Sequence, residues 1–260
     1  MIELRNVCGG YGEEEVLHNV NLRLESGKII VIVGPNGCGK STLLKMLIRL
    51  LPHSAGEIRI EGIHIKELEA AALAQQVAYL PQNKIPADIS VLRMVLHGRF
   101  PYLKYPRRYT EEDFTIAKRA LEKMGVLHLA DKNVSQLSGG LQQKVYIAMV
   151  LAQNTGSILM DEPTVYLDIS HQLKLMEIAR ELASSGKSVV MVLHDLTQAL
   201  RIADEIVVMQ EGKLLMCASP EEIYKSGVIE EVFHVRMDRI QTAKGWQYFY
   251  DEVIISNLLD

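Results

Sequence analysis

The sequence has little of what marks several classes of protein. Its 260 residues contain three cysteines, Cys8, Cys38 and Cys217, and no CxxC pair. Cysteines so few and so widely spaced argue against a disulfide framework or a zinc site and fit a reducing cytosol. The longest apolar runs, such as IIVIV at 29–33, are far shorter than the roughly 20 residues that cross a bilayer. The N-terminus has no basic start and no apolar signal core, so we expect any membrane role to depend on a separate spanning partner.

Charge and composition narrow the class further. The formal net charge is −4 and the pI is about 6.1, so nothing favours nucleic acid or an anionic membrane surface as the main partner. Hydrophobic residues make up 48% and charged residues 23% of the chain, as in globular proteins with a substantial core. The length predicts one large domain, or one domain with a subdomain and a tail.

Strands and helices alternate along most of the chain. Apolar patterning predicts strands at 2–7, 16–24, 29–33, 56–60, 77–80, 157–162, 188–195, 206–210 and 213–216. This alternation predicts right-handed crossovers and a mainly parallel sheet. The mostly helical segment at about 88–153 is predicted to be a subdomain inserted into that sheet. A capping box at Thr110 to Asp113 and the pair Ser219-Pro220 predict two helix starts.

A glycine-rich loop carries the most specific signal. Gly34 to Ser41, GPNGCGKS, fits G-x-x-x-x-G-K-[ST] and lies between a predicted buried strand and a predicted helix. Glycines let backbone N–H groups wrap a phosphate, Lys40 would reach the β- and γ-phosphates, and Ser41 would hold Mg²⁺. An ordinary glycine turn is the alternative, but the strand–loop–helix context favours the phosphate loop.

Carboxylates and a histidine follow two later strands. SILMDE ends in Asp161, which would support the magnesium, and Glu162, which would polarise the attacking water. Acids at a solvent-exposed strand end are the alternative, and the glycine loop weighs against it. His194 ends the next apolar run, and Gln82 follows the strand at 77–80. Alone, these would be interpreted as a sheet-edge histidine and a loop glutamine.

A second anion cradle is predicted at 136–144, QLSGGLQQK. Its serine and two glycines stand directly before a stretch with helical spacing, which is the chemistry of anion binding at a helix N-terminus.

Taken together, these motifs resemble those of ATP-binding cassette (ABC) ATPases. GPNGCGKST, Gln82, LSGGL, ILMDEP, VYLD at 165–168 and His194 occur in the order and rough spacing of that family. The resemblance covers the chain to about residue 235, so 1–235 is assigned to an ABC ATPase domain and 236–260 to a C-terminal extension. It implies an α/β P-loop NTPase fold of ABC type: a mainly parallel sheet core, an N-terminal antiparallel β subdomain and an inserted α-helical subdomain.

The resemblance also implies cofactors and roles. The cofactors are ATP and Mg²⁺, and the enzyme is an ATPase. Tyr11 resembles the aromatic that stacks on adenine, and Gln82 the glutamine that senses Mg²⁺ and links the site to the membrane partner. Asp168 resembles the aspartate that communicates between two sites, and His194 the histidine that contacts the γ-phosphate. The implied catalytic residues are Glu162, His194, Lys40 and Gln82. The implied metal ligands are Ser41, Gln82 and Asp161. The implied nucleotide-binding residues are Tyr11, Gly34, Pro35, Asn36, Gly37, Cys38, Gly39, Lys40, Ser41, Thr42, Ser138, Gly139, Gly140 and Asp168.

The family explains why one chain has two cradles. Ser138, Gly139 and Gly140 would hold the γ-phosphate of an ATP bound by a second copy, so that two copies pack head to tail around two nucleotides. The partner then binds the ATP state better than the ADP state, which is the differential affinity that a ligand-driven switch requires.

Two stretches resemble one group within the family. VLHGRFPYLKYPRR (95–108) and TVYLDISHQLKLMEI (164–178) resemble the ATPases of bacterial importers for iron-siderophore complexes, haem and vitamin B12. The first stretch, with Arg99, Lys104, Arg107 and Arg108, is interpreted as a docking surface for permease subunits, with a solvated basic loop as the alternative.

The resemblance places the chain on the cytoplasmic face of a bacterial membrane, as a peripheral subunit. A substrate-binding protein outside the membrane is an indirect partner, and nucleic acid is not expected.

Other functions stay open at this stage. The chain could serve a transporter for another metal or cofactor. A soluble cassette protein acting on nucleic acid or ribosomes is disfavoured by the single cassette, the lack of sustained heptads and the acidic balance. A regulator that does not hydrolyse ATP is disfavoured because Glu162 and His194 are both present.

Two further expectations concern single residues. Cys38 lies in the phosphate loop at a helix N-terminus, where thiolate is favoured, although a small filler is the simpler interpretation. Its alkylation is expected to block nucleotide binding, and ATP is expected to protect it. The placement of His53 and His64 predicts no metal site.

Leu141 stands where the family has glutamine, in LSGGQ. The cradle is expected to survive, but a hydrogen bond from the fifth position is lost, so we predict a modestly reduced ATPase rate. L141Q should raise steady-state turnover about threefold, the worth of one modest hydrogen bond. An unchanged rate in the assembled complex would remove this hypothesis.

Overall fold

The structure is a computed structural model that describes residues 1–84, 87–243 and 245–252. In these residues the strands are β1 Ile2–Tyr11, β2 Glu14–Leu24, β3 Ile29–Val33, β4 Ala55–Ile60, β5 Ile63–His64, β6 Val77–Leu80, β7 Ser157–Asp161, β8 Ser188–Val192, β9 Glu205–Gln210, β10 Lys213–Ala218, β11 Val235–Thr242 and β12 Gly245–Glu252. The α-helices are α1 Lys40–Leu47, α2 Ala70–Gln76, α3 Val91–Leu96, α4 Glu111–Lys123, α5 Gly139–Gln153, α6 Ile169–Ser184, α7 Leu196–Ile202, α8 Pro220–Ser226 and α9 Val228–Phe233. Short 3₁₀ helices occupy His97–Tyr102, Leu127–Leu129 and Val134–Gln136.

A six-stranded sheet forms the centre of the fold. Its order is β10-β9-β3-β8-β7-β6, parallel except for the edge strand β10. Every residue of β3, β7 and β8 is buried, as expected of strands that are covered on both faces. The predicted mainly parallel core is confirmed.

The N-terminal strands form a separate antiparallel sheet. Its order is β2-β1-β4-β5, and its register pairs apolar residues such as Leu4 with Leu22 and Ile2 with Ile60. Apolar pairs directly opposite each other on one face are the stabilising unit of such sheets. The expected antiparallel β subdomain is therefore confirmed.

The central sheet separates two hydrophobic cores. Side chains alternate along β3, so Ile29, Val31 and Val33 pack with the helices, whereas Ile30 and Ile32 pack with α1 and the antiparallel sheet. We call these the helix-side core and the sheet-side core. β3 is thus fixed from both faces directly before the glycine loop.

The described residues between β6 and β7 form helices and connecting segments, with one isolated antiparallel bridge between Ser90 and Asn133. α4 begins with the predicted capping box, in which Thr110 and Asp113 bond each other's backbone N–H groups. α3, α4 and α5 pack together in the helix-side core. The assignment of 88–153 as a subdomain stays a prediction.

One strand is shorter than predicted. β8 ends at Val192 rather than at residue 195, because Asp195 caps α7 by accepting hydrogen bonds from the N–H groups of Thr197 and Gln198. His194 consequently lies in the turn between the strand and the helix.

The sequence predicted little about the structure of residues 228–260. α8 starts at the predicted Ser219-Pro220 cap, and β11 and β12 form a hairpin that the apolar patterning did not predict. The hairpin is held by Arg239, whose guanidinium lies 4.3 Å from the ring of Tyr224, 4.0 Å from that of Trp246, and 2.7 Å from a carboxylate oxygen of Glu221. The predicted extension 236–260 includes Lys244 and 253–260, which lie outside the described residues.

No helix in the described part of the chain is both long and apolar enough to cross a membrane.

A buried ion pair joins the 3₁₀ helix His97–Tyr102 to α4. Arg99 Nε donates to Asp113 Oδ1 at 2.9 Å, and both side chains are almost fully buried. R99M should lower the free energy of unfolding by about 3–5 kcal/mol, because it leaves a buried carboxylate without its cation. Urea titration monitored by circular dichroism measures this, and a loss below 1 kcal/mol would contradict it.

The same pair predicts a pH dependence of stability. Burial raises the pKa of Asp113, but hydrogen bonds from Thr110 and Arg99 outweigh it and hold the pKa below its usual value. Its contribution to stability is therefore complete above the unfolded pKa of about 3.9 and is lost as the pH falls through the lower folded pKa. R99M/D113N should lose less stability than the unchanged protein between pH 5 and pH 3. Equal losses would contradict the assignment.

Candidate functional site

The glycine loop runs from the end of β3 to the start of α1. A Cβ atom on Gly34 would lie 2.2 Å from the carbonyl oxygen of Met209, so no larger residue fits there. Gly39 has φ 102°, and a Cβ on it would lie 2.6 Å from the Leu17 side chain. Because both positions admit only glycine, the loop backbone stays close to β9 and β2 and turns directly into α1.

Lys40 lies at the centre of the loop. Its ammonium donates hydrogen bonds to the carbonyl oxygens of Gly34 and Pro35, both at 2.8 Å, and the residue is only 6% exposed. These partners are neutral dipoles, so the positive charge has no anion beside it. A phosphate entering the loop would supply one.

Asp161, the last residue of β7, is a buried carboxylate with an uncommitted oxygen. It is 1% exposed; Oδ2 accepts a hydrogen bond from the Tyr79 hydroxyl at 3.4 Å, whereas Oδ1 has no partner among the described residues. Burial raises the pKa of Asp161, and a hydrogen bond from Ser41 partly offsets it. A buried orphan oxygen beside a hydroxyl fits a hard cation such as Mg²⁺, which prefers oxygen ligands.

The described residues contain no cluster of three or more His, Cys, Asp or Glu side chains that could hold a metal by themselves. A cation at Asp161 would therefore need most of its ligands from elsewhere, as magnesium bound with nucleotide phosphates does.

Glu162 and His194 meet at the neighbouring strand ends. His194 Nε2 lies 2.6 Å from Glu162 Oε1, because β7 and β8 are adjacent parallel strands and both residues follow their carboxyl ends. Glu162 has φ 51°, a backbone conformation that costs energy for a residue other than glycine. The turn thus directs the carboxylate toward the histidine.

One open cavity brings most of the predicted residues together. Its volume is about 790 Å³, within the range of ligand sites. Glu14 and Val16 also line it, although they belong to no motif that predicts a ligand site. The predicted residues that line it are Tyr11, Asn36, Gly37, Gly39, Lys40, Ser41, Thr42, Gln82, Glu162 and His194.

Tyr11 stands at the side of this cavity. Its hydroxyl accepts a hydrogen bond from Lys45 at 3.1 Å, and the residue is partly exposed. Burial raises the pKa of Tyr11, but hydrogen bonds from Lys45 and Thr42 outweigh it and lower the pKa. The ring is fixed at one edge and leaves room for a planar group.

The second predicted cradle lies apart from this cavity. Ser138, Gly139, Gly140 and Asp168 do not line it; Ser138 stands directly before α5, and Asp168 directly before α6. Ser138 makes no side-chain hydrogen bond to cap its own helix. Leu141 packs against the helix-side core.

Sequence reasoning missed a link between the two regions. The buried amine of Lys84 donates to Gln143 Oε1 at 2.7 Å, and burial lowers the pKa of Lys84 to about 8. Gln143 Nε2 in turn donates to the carbonyl oxygen of Pro163 at 2.8 Å. The Gln82 loop, α5 and the turn after Glu162 are therefore joined by two hydrogen bonds.

The structure favours the simpler interpretation of Cys38 as a small filler over a reactive thiolate, and the expected block of nucleotide binding by alkylation stays a prediction. The thiol is only 4% exposed, and burial raises its pKa although Lys40 partly offsets this. Loss of hydration outweighs the favourable position before α1, so the thiolate is disfavoured.

With this geometry established, comparison with known proteins gives the family. A profile described as ABC transporter matches residues 17–165, more than half of the chain. The chain belongs to the ABC transporter family. This confirms three predictions: the resemblance drawn from the motifs, the fold class, and the enzyme class, which is an ATPase.

Several curated relatives are import proteins. The chain is 41% identical over 229 residues to the ferric enterobactin transport ATP-binding protein FepC of Escherichia coli, covering 87% of this chain and 84% of that protein. It is 38% identical to the petrobactin import ATP-binding protein FpuD of Bacillus anthracis, covering 90% and 86% of the two chains.

Solved structures agree in fold. A metal-chelate type ABC transporter in an inward-facing conformation has a TM-score of 0.81 at 27% identity, with 96% of both chains covered. A dimeric ATP-binding cassette, in a post-hydrolysis state with ADP and phosphate, has a TM-score of 0.74 at 32% identity, covering 85% of this chain and 99% of that one.

The burial of Cys38 predicts low reactivity. In C8S/C217S, where Cys38 is the only thiol, alkylation at pH 7.5 should be at least about tenfold slower in the folded chain than in urea. The rate should rise with pH, because the thiolate is the nucleophile and its pKa is raised. Equal rates in folded and unfolded protein would show that the thiol is accessible.

Proposed function

We propose that this chain is the ATP-binding and hydrolysing subunit of a bacterial importer. It energises uptake of an iron-siderophore, haem or cobalamin-like complex through a separate membrane permease. The observation that carries the enzymatic part is the single cavity lined by Lys40, Ser41, Glu162 and His194. The siderophore part is supported by the similarity to the ferric enterobactin and petrobactin ATP-binding proteins.

ATP binds with its phosphates in the glycine loop. Lys40 exchanges its two carbonyl partners for phosphate oxygens, and the adenine stacks beside Tyr11. Ser41 and Asp161 hold Mg²⁺ with Gln82 nearby, and the orphan Oδ1 of Asp161 is the oxygen that supports this assignment. The bound magnesium neutralises the charge of the phosphates.

Glu162 and His194 perform the hydrolytic step. The carboxylate of Glu162 accepts a proton from water as the water oxygen bonds to the γ-phosphorus, and the bond from that phosphorus to the bridging oxygen of ADP breaks. His194 Nε2 holds the carboxylate in place and lies in the same cavity, within reach of the γ-phosphate.

A second copy completes each site. Ser138, Gly139 and Gly140 contact the γ-phosphate of the ATP held by the other chain, and Asp168 lies at the same interface. The position of these residues outside the nucleotide cavity supports this arrangement. So does the dimeric cassette of similar fold.

The permease docks on the exposed part of 95–108. Tyr105 is 97% exposed, and Arg107 lies over the ring of Phe100 at 4.8 Å. Arg99 does not belong to this surface, because its guanidinium is buried against Asp113. The proposal places the chain at the cytoplasmic face of the membrane, and an extracytoplasmic substrate-binding protein is an indirect partner.

E162Q tests the proposal. Turnover should fall by about 10²–10⁴, because the general base is lost, while Mg-ATP binding is retained. The variant should dimerise in saturating Mg-ATP, which light scattering after size exclusion measures. E177Q, on the exposed face of α6, is the matched control and should behave like the unchanged protein. A strictly monomeric E162Q, even beside its permease, would contradict the proposed mechanism.

A further inference from the structure

A hydrogen-bonded chain of three side chains lies outside the nucleotide cavity. Lys144 Nζ on α5 contacts His171 Nε2 on α6, and His171 Nδ1 lies 2.7 Å from Asp168 Oδ1. Lys144 and His171 are partly buried, whereas Asp168 is exposed. The chain joins α5, the helix that follows the second cradle, to Asp168 directly before α6, and Lys144 and His171 are 27 positions apart in the sequence.

The partners fix the protonation of the histidine. An ammonium group only donates hydrogen bonds, so His171 Nε2 must accept from Lys144. The proton of the neutral ring is then on Nδ1, which donates to Asp168 Oδ1. Because Nε2 accepts and Nδ1 donates, the ring links the position of Lys144 to that of Asp168.

Asp168 is fixed by the same residue in a second way. Its Oδ1 also accepts from the backbone N–H of His171 at 2.9 Å and from the Ser170 hydroxyl at 2.8 Å. These bonds, the backbone one first, lower the pKa of Asp168 to about 2. The carboxylate therefore stays charged across the physiological range. Burial lowers the pKa of Lys144, so a change of protonation in this chain falls on its other two members.

We propose that His171 is a positioning residue that couples α5, with its cradle Ser138 to Gly140, to the Asp168 loop. The inference rests on the proposed function, in which the cradle and the Asp168 loop face the same dimer interface. The coupling then holds both segments in position against the same partner chain. Lys144 and His171 do not line the nucleotide cavity, so they act on the reaction through these two segments.

The link is open to protonation. The charged groups bonded to His171 are Asp168 from its own segment and Lys144 from α5. The exposed Lys174 lies three residues further along α6, on the same side of the helix. A protonated imidazole keeps its bond to Asp168 but has no acceptor for Lys144 and repels it. Protonation therefore breaks the bond between His171 and Lys144 on α5, while Asp168 still caps α6.

Turnover of the full chain, with its permease, tests the coupling. H171F and K144M should each lower turnover about tenfold, the equivalent of one hydrogen bond to a charged group. The double variant should fall no further than either single one, because all three break the same link. K144R should retain most of the activity, since a guanidinium also donates. K174M, an exposed lysine on α6, is the matched control.

The pH profile separates coupling from mere packing. H171Q keeps one donor and one acceptor but does not titrate, so it should remain active from pH 8 to pH 5.5. The ratio of unchanged protein to H171Q should fall about tenfold over this range, because protonation of the imidazole removes the acceptor for Lys144. His194 is common to both proteins and cancels in the ratio. A flat ratio would overturn the assignment.

Binding of a fluorescent ATP analogue tells the two possible failures apart. If the unchanged protein binds and hydrolyses Mg-ATP while H171F and K144M match it, or their losses multiply in the double variant, the coupling is refuted and the proposed function stands. If the unchanged protein neither binds nor hydrolyses Mg-ATP, the proposed function fails, and the coupling with it.

Discussion

The strands β3, β8 and β7 lie side by side and run in the same direction, so their carboxyl ends meet at one edge of the sheet. Each strand is followed within a few residues by a group that carries chemistry: Lys40 after β3, Glu162 after β7 and His194 after β8. Three distant parts of the sequence are thereby brought to one cavity. Any change in strand order or direction would separate them, because side chains reach only a few ångströms from the strand ends.

The charged groups of the site also favour binding of a ligand. Lys40 is a buried cation that bonds the carbonyl oxygens of Gly34 and Pro35 and the Cys38 thiol, and Asp161 is a buried carboxylate whose Oδ1 has no partner among the described residues. Unpaired charge inside a protein is costly, so both groups gain from a ligand that carries phosphate and a divalent cation. The surrounding residues hold both groups in place before the ligand binds. Ligand binding then offsets the free-energy cost of burying these charges without partners.

Local patterns predicted the parts of the site that depend on short segments. The glycine loop was predictable because strand, loop and helix are contiguous, and Asp161 and Glu162 because they end an apolar run. Lys84–Gln143 and Lys144–His171 were not, since these pairs are 59 and 27 positions apart and form only when α5 packs against the Gln82 loop and α6. Arg99 was misplaced on the surface, because a basic stretch does not show which of its cations turns inward. The β11–β12 hairpin was not predicted because its strands lack a continuous apolar face: Met237 and Tyr248 are buried, whereas Ile240 and Phe249 are exposed.

The helix-side core and the sheet-side core share no side chain, since the backbone of the central sheet stands between them. Mutations in one compartment can therefore be compensated within that compartment, without any matching change across the sheet. Repacking among the helices therefore leaves the sheet-side contacts of Ile30 and Ile32 in place, and these contacts hold the strand from which the phosphate loop starts. The central sheet thus divides the molecule into two packing compartments that meet through its backbone.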